Sequence, residues 1–221
     1  MRAVGSMALF GLPVLLLAFA IRQQSDAVIA LDEQAIRVAN RFARDSNLVS
    51  ALTALQEISQ PVVVYVAATP VVAWAWFVAR LRGRALWAFT TMMASWGAGA
   101  VSKIIVQRAR PALDLPLSHP QGYSFPSGHA LNITAASSAL LFLLWPVLSP
   151  ALRRIAVGVA VGLILVVCAD RILIGAHFPS DVVGGALLGL GITVSSWIGF
   201  VGPTSVTSSP EPFSPASASG P

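Results

Sequence analysis

Charge is scarce in this sequence: Asp, Glu, Lys and Arg make up only 10% of its 221 residues, against 56% hydrophobic. Soluble domains carry about 25% charged residues, so the composition excludes one and identifies an integral membrane protein. There is a single cysteine, Cys168, inside an apolar run, which rules out an intrachain disulfide and reads as lipid- or core-facing packing. The chain has one lysine, Lys103, and three histidines. Its net charge is +5, but the arginines sit at the ends of apolar runs and form no basic face interleaved with aromatics, which excludes nucleic acid as a partner. After Gly202 the tail has no basic residue and one acid, Glu211, among Ser, Pro, Thr, Ala and Gly, so residues 203–221 are expected to form a disordered cytoplasmic tail.

What the chain does have is long apolar runs. Met7 to Ile21 reads as an uncleaved first span rather than a signal peptide, although it ends in small residues. Pro61 to Val78, Ala85 to Val101, Ala130 to Leu148, a run starting at Ile155, and Val182 to Val201 follow. Arg80, Arg82 and Arg84 mark one cytoplasmic loop, and Arg153 and Arg154 mark another. Trp74, Trp76, Trp87, Trp145 and Trp197 fall at the same side, as an aromatic belt does, with Trp96 as the exception. Between Arg22 and Gln60, apolar residues recur at helical spacing among charges, from Leu31, Ile36, Val38 and Phe42 to Leu48, Leu52, Leu55 and Ile58, and predict interfacial helices on the outer face. Arg37, Arg41 and Arg44 read there as a solvated or headgroup-facing surface. The expected fold is an all-α polytopic bundle of six transmembrane helices, one domain over residues 1–202. Gly185 and Gly189, with small residues from Ala135 to Ala139, predict close helix approach. Nothing in the pattern sets an oligomeric state.

The polar residues that this topology leaves unexplained fall on the outer side. Tyr123 to His129 is a polar turn that opens a helix; Ser127 there is either an ordinary N-cap or part of an anion site with Gly128 and His129. Lys103 and Arg110, seven residues apart, would share one face of a continued helix about 10 Å apart, before Pro111 stops it, or would snorkel to headgroups. Asp170 and Arg171 interrupt an apolar run, where a charge costs about 2.5–3.5 kcal/mol; as helix neighbours they point about 100° apart, so a bundle-facing role is expected rather than a mutual pair. His177 precedes a helix start at Pro179, with Asp181 placed either to orient its ring or simply as a first-turn acid. Asp114 and His119 can reach a headgroup, although a solvated loop accounts for them as well.

Taken together, Lys103-x6-Arg110-Pro111, Pro126-Ser127-Gly128-His129 and Arg171-x5-His177-x3-Asp181 resemble the three signature motifs of the type 2 phosphatidic acid phosphatase family, in order and in spacing. Many members have serine where Asp170 stands, a difference bearing on substrate preference more than on activity. The resemblance implies that His177 attacks phosphorus and forms a phosphohistidine, and that Asp181 orients it. Lys103, Arg110, Arg171 and the backbone N–H groups of Ser127 and Gly128 would bind the phosphoryl oxygens, and His129 would serve as acid and then base. No metal and no cofactor are implied. The expected activity is hydrolysis of a membrane lipid phosphate or pyrophosphate at the outer face, undecaprenyl pyrophosphate first, phosphatidic acid or phosphatidylglycerol phosphate next, or transfer of the group to another lipid. A silent transporter or scaffold on the same bundle is the rival reading.

Overall fold

Only α-helices and one short 3₁₀ turn occur among the residues that the computed structural model describes, 2–113, 117–118 and 120–201. The tail 203–221, Asp114 and His119, for which the sequence raised expectations, lie outside the described residues. The helices are α1 (Arg2–Arg22), α2 (Asp26–Asp45), α3 (Val49–Ile58), α4 (Pro61–Phe77), α5 (Arg82–Val106), α6 (Gly128–Leu144), α7 (Pro150–Leu173) and α8 (Pro179–Val201).

α6 is the hub, packing against α4, α5, α7 and α8. Its residues allow that: Ala130, Ala135, Ala136 and Ala139 present almost no side chain, and ten of its seventeen residues are buried. The approach to α8 is closest at two glycines. A Cβ on Gly185 would lie 2.5 Å from the Ser127 carbonyl oxygen, and one on Gly189 would lie 2.4 Å from that of Leu131. The expectation of close helix packing at these glycines therefore holds, and α1 closes the other side of α8.

Among the described residues, four helices are long and apolar enough to cross a membrane: Val4–Arg22, Gly128–Val147, Pro150–Leu173 and Pro179–Val201. The pair α3–α4, bent by 55°, makes a fifth if it is one span. By length and composition the described residues thus support four to five spans; α5 is not among them, because its uncharged stretch between Arg84 and Lys103 is diluted by Thr90, Thr91, Ser95, Trp96 and glycines.

Several local expectations are corrected. Arg153 and Arg154 belong to the first turns of α7 rather than to a loop, because Ser149 caps the helix and Pro150 starts it. Trp87 is a core residue, 6% exposed, in a cluster with Phe142, Trp197 and Phe200, and Arg84 lies 4.8 Å over the Trp197 ring. In α2 the buried stripe is Asp32, Ile36, Asn40 and Ala43, while Leu31, Val38 and Phe42 face outward. The reason is chemical: the protein side of α2 meets the Arg108 guanidinium and the Ser180 N–H at the start of α8, so Asp32 turns inward.

Candidate active site

Each of the three motifs is delivered by a helix end. α5 stops at Val106, where Gln107 takes a left-handed conformation (φ 52°), so the helix does not continue to Arg110 and the expected single helical face for Lys103 and Arg110 does not form. The two cations meet by another route. Lys103 Nζ donates to the Tyr123 carbonyl (2.6 Å), and Arg110 donates to the carbonyls of Gly122, Gln121 and Ala176 (3.0, 3.0 and 2.9 Å), folding the loop back over the end of α5.

Ser127 caps α6, its hydroxyl accepting from the Ala130 N–H (3.5 Å), so the cap reading of this turn holds. Its own N–H donates to the Asp181 carbonyl oxygen (2.9 Å). Of the two backbone donors assigned to an anion cradle, Ser127 is therefore already engaged, and only Gly128 lines the cavity that both histidines share. The correction follows from the α6–α8 contact, which needs that hydrogen bond where the two helix starts meet.

α7 ends through Gly175 (φ +79°), where a Cβ would meet Leu113 at 2.5 Å. The reversal lets the N–H groups of Ala176 and His177 both donate to the Arg171 carbonyl (3.1 and 3.2 Å), which holds His177 beside the last turn of α7. Pro179 then begins α8, and Asp181 reaches back to accept from the Phe178 N–H (2.9 Å). As well as being a first-turn acid, Asp181 accepts a hydrogen bond from the Ser124 hydroxyl on the same Oδ2 (2.5 Å), which lies 3.7 Å from His177 Nδ1.

That geometry settles the histidine tautomer. Ser124 gives its only proton to Asp181, so its oxygen can only accept from His177 Nδ1 (3.4 Å), and the ring proton belongs on Nδ1. Nε2 then presents its lone pair, toward which Arg110 Nη1 points at 3.3 Å. Burial pushes the ring down to about 4, against the pull of the Asp181 carboxylate and with help from the Arg110 and Lys103 cations, so His177 is neutral at neutral pH. Burial also lowers Arg110, with Asp181 opposing and Arg171 adding to the effect.

Arg171 is 1% exposed and, contrary to expectation, pairs with Asp170. Adjacent Cβ atoms do diverge, but the long guanidinium stem curls back, and Nε and Nη2 both donate to Asp170 Oδ2, the former at 2.8 Å. Only Nη1 remains for the cavity, where it reaches Gln56 Oε1 (3.3 Å) and His129 Nε2 (3.4 Å). Asp170 Oδ1 is buried with no hydrogen-bond partner among the described residues.

Lys103, Arg110, Gly128, His129, Arg171 and His177 thus line one cavity of about 460 Å³. Asp181 and Ser127 stand behind it, both fully buried. Four residues escaped the sequence reading: Ser124, Gln56, Arg108 and Asp32. Ser124 was inside the stretch already singled out, and its place next to Phe125-Pro126 was the available signal. Gln56 and Asp32 come from α3 and α2, and no local pattern connects them with residues about 70–150 positions later.

Comparison with known proteins identifies the family. The model of the PAP2 superfamily matches residues 84–202, more than half of the chain and all three motifs. The chain belongs to the PAP2 superfamily. Among PAP2 relatives, phosphatidylglycerophosphatase B of Bacillus subtilis is 36% identical over 94 residues, 41% of this chain and 45% of that protein. Undecaprenyl-diphosphatase of Sulfolobus acidocaldarius is 34% identical over 110 residues, 47% of this chain and 46% of that one. The aligned region spans about half the length of these curated relatives. A crystal structure of a transmembrane PAP2-type phosphatidylglycerolphosphate phosphatase from Bacillus subtilis superposes with a TM-score of 0.79 at 26% identity, covering 89% of this chain and 96% of that one. Aquifex aeolicus LpxE shares the fold, with a TM-score of 0.54 at 21% identity over 76% of this chain and 94% of that one.

Proposed function

We propose that this protein is an integral membrane phosphatase that removes a phosphate from a lipid phosphate or isoprenyl pyrophosphate, without a metal, through a phosphohistidine on His177. The observation that carries the reading is one cavity lined by three cations and by a neutral, buried histidine whose Nε2 faces the Arg110 guanidinium. His177 Nε2 attacks phosphorus, the bond from phosphorus to the bridging oxygen breaks, and His129 gives that oxygen its proton. Water then attacks the phosphohistidine, His129 takes a proton from it, and free phosphate leaves with His177 restored. Lys103, Arg110 and Arg171 Nη1 meet the charge that gathers on the equatorial oxygens, with the Gly128 N–H beside them.

The proposed topology keeps six spans, α1 and α4 to α8, with the site at the extracytoplasmic side and α2 and α3 on the outer surface. Helix length supports it. Lys103 and Arg171 stand near the C-terminal ends of α5 and α7, and Arg82, Arg84, Arg153 and Arg154 near their N-terminal ends, about 25–30 Å away at 1.5 Å per residue. A groove of about 210 Å³ between α4 and α5, lined by Val62, Tyr65, Val66, Phe89, Met92 and Trp96, suits a lipid tail. Its lining begins at Val62, the residue after Pro61, which lines the catalytic cavity.

Undecaprenyl pyrophosphate is the first proposed substrate. Phosphatidylglycerol phosphate is the second, favoured by the likeness over nearly the full chain to a phosphatase named for it. Purified protein in detergent with EDTA is expected to release phosphate from at least one of the two lipids. Activity that appears only when magnesium is restored would contradict metal independence, and no release from either lipid would contradict the substrate class.

A further inference from the structure

We propose that Arg108 and Asp32 are positioning residues for this reaction, acting through Asp181; the proposal rests on the phosphatase reading. Arg108 lies two residues before Arg110 but points the other way. It does not line the cavity that holds Lys103, Arg110, Arg171 and both histidines. Instead its Nη1 donates to Asp181 Oδ1 and to the Ser180 hydroxyl (2.7 Å each), and its Nη2 donates to Asp32 Oδ2 (2.7 Å). The guanidinium is stacked 4.1 Å over the Phe178 ring, next to His177 in sequence.

The consequence falls on Asp181. Its Oδ2 faces Ser124, the Phe178 N–H and His177 Nδ1, while its Oδ1 meets Arg108. With both oxygens bound, the carboxylate plane is held, and Oδ2 stays aimed at the proton that keeps Nε2 free for attack. Asp32 holds the clamp in turn. It accepts from the Ser180 N–H through Oδ1 (3.0 Å), from the Ser180 hydroxyl and Arg108 through Oδ2, and so joins α2 to the first turn of α8. The side chains of Arg108, Asp32 and Asp181 are 9%, 5% and 0% exposed. One guanidinium thus serves two buried carboxylates at once, a task for a planar fork rather than for an ammonium. Removing it leaves two buried like charges, and Asp181 loses the contact that fixes its orientation.

A purely architectural tie between α2 and α8 makes a different prediction from a positioning role, and a double-mutant cycle separates them. Phosphate release is measured for the full chain, Arg108→Gln, Asp181→Asn and the double variant. The single Arg108→Gln change is expected to lower kcat by about 10–100-fold with KM altered less than about threefold. In the Asp181→Asn background the same change is expected to cost less than about threefold, since the group it acts through has already lost its charge. Equal losses in both backgrounds, or no loss in the first, would overturn the proposal. Asp32→Asn, which breaks the clamp from α2, is expected to show the same non-additivity and decides the matter alone if Arg108→Gln does not fold. A wild-type chain that releases no phosphate from any lipid phosphate would overturn the phosphatase reading and this proposal together; wild-type activity with additive losses would overturn this proposal alone.

Discussion

His177→Ala is expected to lower phosphate release by about 10⁴-fold or more, the scale seen when a nucleophile is removed from a site whose parts act as a unit. The reason is positional as well as chemical. The ring occupies a buried place between Arg110, which points at Nε2, and the Ser124–Asp181 pair, which holds the proton on Nδ1. His129 is the other histidine that lines the cavity with the three cations. His129 contacts only Arg171 among them, and as the proposed proton donor it cannot also be the attacking group in the same step. The cradle survives in the variant, so lipid binding should persist with KM within a few-fold of wild type. Steady-state phosphate release from a detergent-solubilised lipid phosphate reads the effect directly, and a variant retaining a tenth of wild-type kcat would remove His177 from the mechanism.

Gly189 carries the second large effect, on folding rather than on chemistry. Alanine there is expected to destabilise the protein by about 1–3 kcal/mol, and leucine to prevent assembly, because backbone and not a mobile side chain stands in the way. A Cβ would sit 2.4 Å from the Leu131 carbonyl and 3.3 Å from the Ala135 N–H, so α6 and α8 must separate to admit it. α6 starts at Gly128 and its cap hydrogen-bonds to Asp181 of α8, so separation also disturbs the site. Glycines on α7 supply the contrast: Gly158 and Gly162 would place a Cβ within 4 Å of nothing, and alanine there is expected to be neutral or stabilising by up to about 1 kcal/mol. Thermal unfolding in detergent compares the sets; equal behaviour of Gly189→Ala and Gly158→Ala would contradict the α6–α8 contact.

Both predictions indicate where the sequence was informative. His177, His129, Arg171 and Asp181 stand out by residue type near helix ends that Pro or Gly announces locally, but their roles come from the resemblance of three motifs in order and spacing. Gly189 was legible for the same kind of reason, four residues after Gly185 in an apolar run. The errors came where a side chain or chain segment departed from helical geometry. Lys103 and Arg110 were placed on one helix face, yet the left-handed turn at Gln107 breaks that helix and loop carbonyls bring the two together. For Asp170 and Arg171 the expected bundle-facing placement holds, both being buried, but Cβ directions alone make them poor partners and ignore the reach of an arginine stem. Asp32 has no local signal because its partners, Arg108 and Ser180, are 76 and 148 positions away, and because it is the one charged residue on the buried face of α2, whose Glu33, Arg37 and Arg41 stay exposed. Ser127 was assigned to the cradle on its place at a helix mouth, where the neighbouring α8 already uses its N–H.

The central claim is that phosphate passes through His177. Rapid acid-free quenching of wild-type protein with a lipid phosphate labelled on its terminal phosphoryl group, followed by peptide mapping, tests it most directly. The expected result is an acid-labile, base-stable label on the peptide containing His177, absent from His177→Ala and accumulating in His129→Ala if that residue activates the water of the second step. A label on another residue, or wild-type turnover with none formed at any time point, would contradict the account.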